Sequence, residues 1–370
     1  MYKCYASCAF GIEGILATEI RELGLTGVMA QDARVYFEAD EYGVALANIF
    51  LRTADRVYIV LGEFSVRSFD ELFQNITNID FASFIPSDAK LPVNANAVRS
   101  ELMSVRDIQA VSKKAVVKAM QRKYKLGTLP ENGGVFGLFV NLYKDVATVA
   151  LNTSGAGLNR RGYRLKNAEA PLKETLAAAL ILISRWHSRD FYDPMCGSGT
   201  IAIEAAMIAS NMAPGIHRQF DAQNYSNSFR KAFADVREHA GARQTTPEMR
   251  ICAGDIDSKN IKLATGHARN MGLDGAIDFY VGDATEFRQP EKPATIITNP
   301  PYAVRLGEKE EVERLYKNMG KVFLQLQDTV FFVLTASDRF EKDFGRKADK
   351  KRKLYNGNLR CTYYQYFRKR

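Results

Sequence analysis

Apolar positions change their spacing repeatedly along the first 65 residues. A period of two marks CYASCAF, the pair of runs within VMAQDARVYFEAD, and RVYIVLGEF as strands. Between them, GIEGILATEIREL and YGVALANIFLR repeat their apolar positions every three or four residues, the spacing of an amphipathic helix. Residues 66–157 continue in kind. A helix in DELFQNITNI, a strand in KLPVNANA and a long helix in VRDIQAVSKKAVVKAMQRKY precede strands in VFGLFVNLY and DVATVALNTS. On the long helix Ile108, Val111, Ala115 and Val116 form an apolar stripe, while Lys113, Lys114, Lys118 and Arg122 project largely elsewhere.

The strand-helix-strand-strand-helix-strand order of residues 1–65 predicts an α+β unit of the ferredoxin-like kind. A second α+β unit covers 66–157. A Gly-rich, basic stretch follows, SGAGLNRRGYRLKNAEAP, in which residues 158–170 read as a linker. Pro171 suits the first turn of the next helix, KETLAAALILISRW, because its missing N–H would find no helical partner there. From 171 to 370 strand-like and helix-like segments alternate. They are DFYDPM and TIAIEAAMIAS, MRICAGDI and KNIKLATGHARNM, AIDFYVGD, ATIITNPP with a helix from about 309 to 328, and VFFVLTAS. This alternation predicts a parallel, doubly wound α/β sheet. The end departs from it: Asn356-Gly357 lies between strand-like runs, a hairpin signal that makes the last strands antiparallel. The polar segment 214–248 interrupts the alternation and reads as a surface insertion.

Charge adds a partner to this picture. The formal net charge is +9, and residues 339–370 alone hold twelve Lys/Arg against three Asp/Glu, so the remainder is near neutral. Two more basic stretches occur at 99–125, with Arg106, Lys113 and Lys114, and at 159–166, with Arg160, Arg161 and Arg164. Each alone fits a solvated surface. Three in one chain point to a polyanion, with nucleic acid ahead of an anionic membrane because no amphipathic anchor accompanies the charges. No apolar run approaches the twenty or so residues of a membrane span, and Glu13 interrupts the short apolar stretch near the N-terminus. The five cysteines form no CxxC pair and the four histidines are scattered, so no metal site is expected; free thiols in a reducing cytoplasm are.

The candidate chemistry lies between 191 and 302. FYDPMCGSGTIAIEAA is strand, glycine loop, helix, and glycines let the main chain approach a ligand closely. No Lys follows, which disfavours a phosphate-cradling P-loop. Gly197, Gly199 and Ala202 fit the looser dinucleotide fingerprint. The acidic residue that fingerprint wants about 20 positions on is missing. The next strand-ending acid is Asp255, with Asp257 as its alternative for accepting hydrogen bonds from a ribose diol. Asp283 ends the following strand and could accept from an adenine amine. Each acid alone is more often a cap or turn former. The ordered set is more specific, because in open α/β sheets ligands lie across the carboxyl ends of the strands.

TNPPY then stops an apolar strand with an amide, two prolines and an aromatic ring. An exocyclic amine of adenine or guanine is a poor nucleophile because its lone pair is delocalised into the ring. Its two N–H bonds need acceptors placed so that the nitrogen can pyramidalise. The Asn299 side-chain oxygen can supply one and the Pro300 carbonyl the other. Proline fixes φ and biases the residue before it away from helix, so the turn is stiff. Tyr302 can stack on the base, which must leave its helix or loop to arrive there.

These stretches resemble a known family, the class I S-adenosylmethionine-dependent methyltransferases fused to a THUMP RNA-binding domain. Within it the chain looks most like bacterial 23S ribosomal RNA guanine-N2 methyltransferases. The likeness spans almost the whole chain and includes SVRDIQAVSKKAVV, LNTSGAGLNRRGYR, DPMCGSGTIAIEAAMIA, GDID, GDATEF, TNPPYAVRLGE and FGRKADKKRKLYNGNL. It implies a ferredoxin-like domain over 1–65, a THUMP domain over 66–157, and a Rossmann-like methyltransferase domain with an antiparallel C-terminal hairpin over 171–370. It implies S-adenosyl-L-methionine as donor and S-adenosyl-L-homocysteine as product. Asp193, Met195, Cys196, Gly197, Gly199 and Thr200 would line the methionine part. Asp255 and Ile256 would hold the ribose side, Asp283 and Ala284 the adenine, and Pro171 and Leu172 part of a lid. Asn299, Pro300 and Tyr302 would be catalytic. Arg106, Lys113, Lys114, Arg160, Arg161, Arg164 and Arg305 would contact RNA, ribosomal first and transfer RNA as an alternative. Tyr225 stands where the family pattern has Trp, a position expected to bear on cofactor or substrate fit. Adenine-N6 methylation is the same-chemistry alternative, and a non-catalytic RNA-binding or ribosome-assembly protein the alternative of another class.

Overall fold

The computed structural model describes residues 1–164, 172–302 and 309–367. Pro171 and Arg305, named above, lie outside them. The N-terminal half runs β1 (Tyr2–Ser7), α1 (Glu13–Glu22), β2 (Thr26–Gln31), β3 (Arg34–Ala39), α2 (Glu41–Phe50), β4 (Arg56–Ser65), α3 (Phe69–Thr77), β5 (Val93–Val98), α4 (Val105–Tyr124), β6 (Leu138–Tyr143) and β7 (Val146–Asn152). The helix starts follow local chemistry: Asp40, Ser68 and Ser104 each accept a backbone N–H from the first turn of α2, α3 and α4. The two α+β units form one seven-stranded sheet in the order β2-β3-β1-β4-β7-β6-β5. Their seam is the antiparallel pairing of the long strand β4 with β7.

The C-terminal half runs α5 (Glu174–Ser184), β8 (Asp190–Asp193), α6 (Thr200–Ala209), α7 (Asn227–Ala242), β9 (Ile251–Asp255), α8 (Ser258–Asn270), β10 (Asp278–Val281), β11 (Ala294–Thr298), α9 (Lys309–Phe323), β12 (Thr329–Thr335), α10 (Phe340–Phe344), β13 (Lys350–Asn356) and β14 (Leu359–Tyr366). Its sheet has the order β10-β9-β8-β11-β12-β14-β13. The first five strands are parallel; β14 is antiparallel to both β12 and β13. The expected parallel sheet with an antiparallel end is therefore present, with Gly357 at φ +62° in the hairpin turn.

The segment 214–248 is not the surface insertion its polarity suggested. It forms α7, which buries Phe229, Phe233 and Val236 and packs against α2 of the N-terminal half. Those three residues recur at four and three positions, so the helical spacing was present under the charges. Tyr225, just before α7, stacks on Phe136 with 4.5 Å between ring centroids and donates to the Asn152 carbonyl. It serves the contact with the N-terminal half and not the glycine loop. Among the described residues no helix is long and apolar enough to cross a membrane.

Candidate active site

Parallel pairing brings the carboxyl ends of β10, β9, β8 and β11 to one edge, since Val281 pairs with Asp255, Asp193 with Ala253, and Ile296 with Tyr192. Strand order reverses between β8 and β11, which makes the crevice there the switch point of the sheet. The glycine loop and Asp193 flank it on one side and Asn299 on the other.

The loop is built by backbone freedom. Gly197 and Gly199 adopt φ of +51° and +81°. A Cβ on Gly199 would meet the Ala264 Cβ at 2.8 Å, whereas one on Gly197 would meet nothing within 4 Å. The second glycine thus allows close packing on α8, and the first leaves open space above the loop. The Asp255 carboxylate accepts from the Gly197 N–H at 2.9 Å, the Asp257 N–H at 2.9 Å and the Asn260 amide at 3.1 Å. Four lone-pair sites minus three leaves room for a hydroxyl donor. Asp257 is instead spent on capping α8 through the Lys259 N–H. Ile256 stays 71% exposed beside Asp255, an apolar side chain with a free face. Asp283 caps a short turn through Thr285, with Ala284 buried behind it. An open loop, an unsaturated carboxylate and an uncovered aliphatic face in a row fit a nucleoside-bearing cofactor.

Asp193 is buried and accepts from the Thr298 hydroxyl at 2.9 Å, tying the loop to the strand that carries Asn299. Burial pushes its carboxyl up to about 7, against the opposing pull of Thr298 and the Met195 N–H. Burial also raises the Cys196 thiol, which keeps it protonated and unsuited to nucleophilic work.

The Asn299 Oδ1 is buried and has no hydrogen-bond partner among the described residues. The turn around it is held from behind: the fully buried Tyr316 of α9 donates to the Pro301 carbonyl at 3.0 Å and lies 2.9 Å from the Thr335 hydroxyl. Tyr302 is half-buried; burial raises its hydroxyl while hydrogen bonding with Asn356 of the hairpin lowers it.

The basic residues divide. Arg106, Lys114 and Arg160 are exposed. Lys113 is drawn to the Leu91 carbonyl and Glu131, at 2.9 and 2.6 Å. Arg161 is buried against Glu204, which removes it from any RNA surface. Arg164 binds Glu174, the Leu172 carbonyl and Thr200 at the start of α6. It belongs to the glycine-loop side of the crevice. Local composition cannot distinguish a buried arginine from a solvated one. Composition also passed over His267, fully buried, whose Nδ1 lies 3.0 Å from the Ser198 carbonyl. Tyr316 carries no motif at all.

A model of the RMKL-like methyltransferase domain matches residues 161–365. The chain belongs to this family. Models of the RlmL ferredoxin-like domain and of the THUMP domain match residues 3–58 and 66–152. The RMKL-like assignment makes S-adenosylmethionine the methyl donor, and the THUMP domain marks the RNA-directed branch. YpsC of Bacillus subtilis, a candidate RNA methyltransferase by its name, is 40% identical over all of this chain and 96% of its own length. The ribosomal RNA large subunit methyltransferase K/L of Vibrio cholerae is 31% identical over 98% of this chain. The chain spans about half, 52%, of that protein's length. A solved structure of SMU.472, a candidate methyltransferase by its name, in complex with S-adenosylhomocysteine, is 38% identical; the match covers 100% of this chain and 98% of that one, with a TM-score of 0.93.

Proposed function

We propose that this RMKL-like enzyme methylates the exocyclic N2 amine of a guanine in RNA, with 23S ribosomal RNA as substrate, in the cytoplasm. The observation that carries the reading is the Asn299 Oδ1: buried, without a hydrogen-bond partner among the described residues, and held by a stiff turn at the switch-point crevice. A buried acceptor without a donor costs about 1–3 kcal/mol, and a substrate N–H would satisfy it. The large-subunit relative K/L supports the choice of RNA and is half matched by this chain.

S-adenosylmethionine supplies an already activated methyl group when bound. Asp193 to Thr200, Asp255, Ile256, Asp283, Ala284 and Leu172 would hold it. The protein's remaining task is positioning. Asn299 accepts one amine hydrogen and the Pro300 carbonyl the other, which orients the nitrogen lone pair toward the donor. Tyr302 supports the base face. Both acceptors are fixed before reaction, so little reorganisation is needed as positive charge develops on the nitrogen.

Asn299→Ala should lower kcat about 100-fold or more, the scale of losing one preorganised electrostatic contact. Its affinity for S-adenosylhomocysteine, read by calorimetry, should stay within about threefold of wild type. Mass spectrometry of nucleosides from a strain lacking the protein should show loss of N2-methylguanosine from the large-subunit RNA. Loss of N6-methyladenosine, or loss from transfer RNA alone, would overturn the assignment of base or of RNA.

A further inference from the structure

The hairpin that touches Tyr302 also touches the opposite end of the chain. Asn356, last residue of β13, lies close enough to Tyr302 to lower its hydroxyl. One residue before it, Tyr355 meets Phe10, from the loop between β1 and α1, edge-on with ring centroids 6.4 Å apart and planes at 84°. Phe10 is held there by its neighbour. Gly11 sits at φ +93°, and a Cβ on it would lie 3.0 Å from the Lys353 carbonyl. The loop backbone therefore lies directly on the hairpin backbone, yet the Phe10 ring remains 55% exposed.

A solitary exposed aromatic is ordinary. This one differs in its surroundings. Period two along β13 places Lys353 on the same face as Tyr355, and Arg360 of β14 pairs with Tyr355 across the ladder. Lys353 and Arg360 are exposed and have no ion-pair partner among the described residues. Two aromatic rings and two unpaired cations thus form one patch, built from both halves of the chain and continuous with the catalytic turn through Asn356 and Tyr302.

We propose that this patch receives the unpaired RNA strand next to the target nucleotide, with Phe10 and Tyr355 stacking on a flanking base and Lys353 and Arg360 meeting its phosphates. The inference rests on RNA being the substrate. Drawing a base into the crevice unstacks its neighbours. An aromatic shelf one step outside returns some of that stacking without reading sequence, and the cations make contact salt-dependent.

The test is fluorescence anisotropy with a labelled 12-nucleotide single-stranded RNA of mixed sequence, beside a 12-base-pair duplex. Phe10→Ala and Tyr355→Ala should each weaken single-strand binding about 5- to 100-fold, leaving the salt slope unchanged. Lys353→Gln should flatten that slope by about 0.7, one phosphate. Phe10→Trp should bind like wild type, and Phe10→Leu should fall with Ala. Each variant is checked for S-adenosylhomocysteine binding, which should not change. Leu binding as well as Phe, or Ala variants within twofold of wild type, would overturn the proposal. Methylation of bulk RNA by wild type is scored separately. A wild type that binds the strand through Phe10 but methylates no RNA sinks the functional reading and leaves the patch standing.

Discussion

Asp193 and Asn299 face one crevice from adjacent strands, and burial treats them differently. The amide loses a hydrogen bond and keeps its state. The carboxyl can take up a proton, and desolvation pushes it from its ordinary value near 3.8 to about 7. A carboxyl raised on folding binds its proton more tightly in the folded state. Its contribution is therefore fully favourable below about pH 4 and is lost as pH rises toward 7. The cofactor-free protein should show this as a declining difference in Tm between wild type and Asp193→Asn from pH 5 to pH 7.5. A difference flat across that range would mean the carboxylate is ionised throughout. Asp193 and Asn299 were legible because each sits in a dense local motif. Arg161 and Arg164 were not, because the partners that bury them, Glu204 and Glu174, lie 43 and 10 positions away.

The Asn-Pro-Pro-Tyr turn depends on elements that bring no motif with them. Proline restricts the turn's own dihedrals, but its direction is set by Tyr316 from α9, with Thr335 at the end of β12 as the partner of that hydroxyl. Tyr316→Phe keeps the ring that packs edge-on against Phe340, 5.0 Å between centroids. It removes both hydrogen bonds of that hydroxyl, each worth about 0.5–1.5 kcal/mol to stability. Its effect on rate should be larger than that implies. On the proposed function, a displacement of the acceptors by a fraction of an ångström should lower kcat about tenfold with KM nearly unchanged, because alignment is what that reading asks of the turn. A uniform rise in KM with kcat intact would assign Tyr316 to binding instead. Element boundaries show the same division between local and distant information. The basic helix was predicted over 105–124 and is α4, Val105–Tyr124, because its cap at Ser104 and its apolar stripe are both local. α7 was missed because charge masked three buried residues. α10 has only five residues, too few to display a period. The pairing of β4 with β7 joins segments some 90 residues apart, which no local pattern encodes.

At the scale of the molecule one guanidinium ties the two halves together, beside the packing of α2 on α7. Arg161 donates to the Leu158 carbonyl at 2.8 Å and to the Arg52 carbonyl, after α2, at 2.5 Å. It also meets both Glu204 oxygens, at 3.1 and 3.3 Å, on the helix that follows the glycine loop. The pair is almost wholly buried. Arg52 extends the tie by donating to the Met212 carbonyl at 2.9 Å. The ferredoxin-like unit is thereby tied to α6, and with it Phe10, whose placement on the hairpin requires the halves to hold one orientation. Burying two charges is costly in itself, so the pair need not be a net source of stability. Removing one partner is different, because the other is left uncompensated. Arg161→Met should therefore destabilise the protein by about 3–5 kcal/mol in chemical denaturation. Arg161→Met combined with Glu204→Leu should recover part of the loss, since neither member of the pair is left facing an empty site, while Arg52 keeps Glu19 as its remaining countercharge. The double variant then separates stability from geometry. If the ion pair sets the orientation of the halves, single-stranded RNA binding should remain weaker than wild type after that part of the stability has returned. Recovery of both together would reduce the pair to a buried charge and its countercharge, with orientation fixed by the packing of α2 on α7.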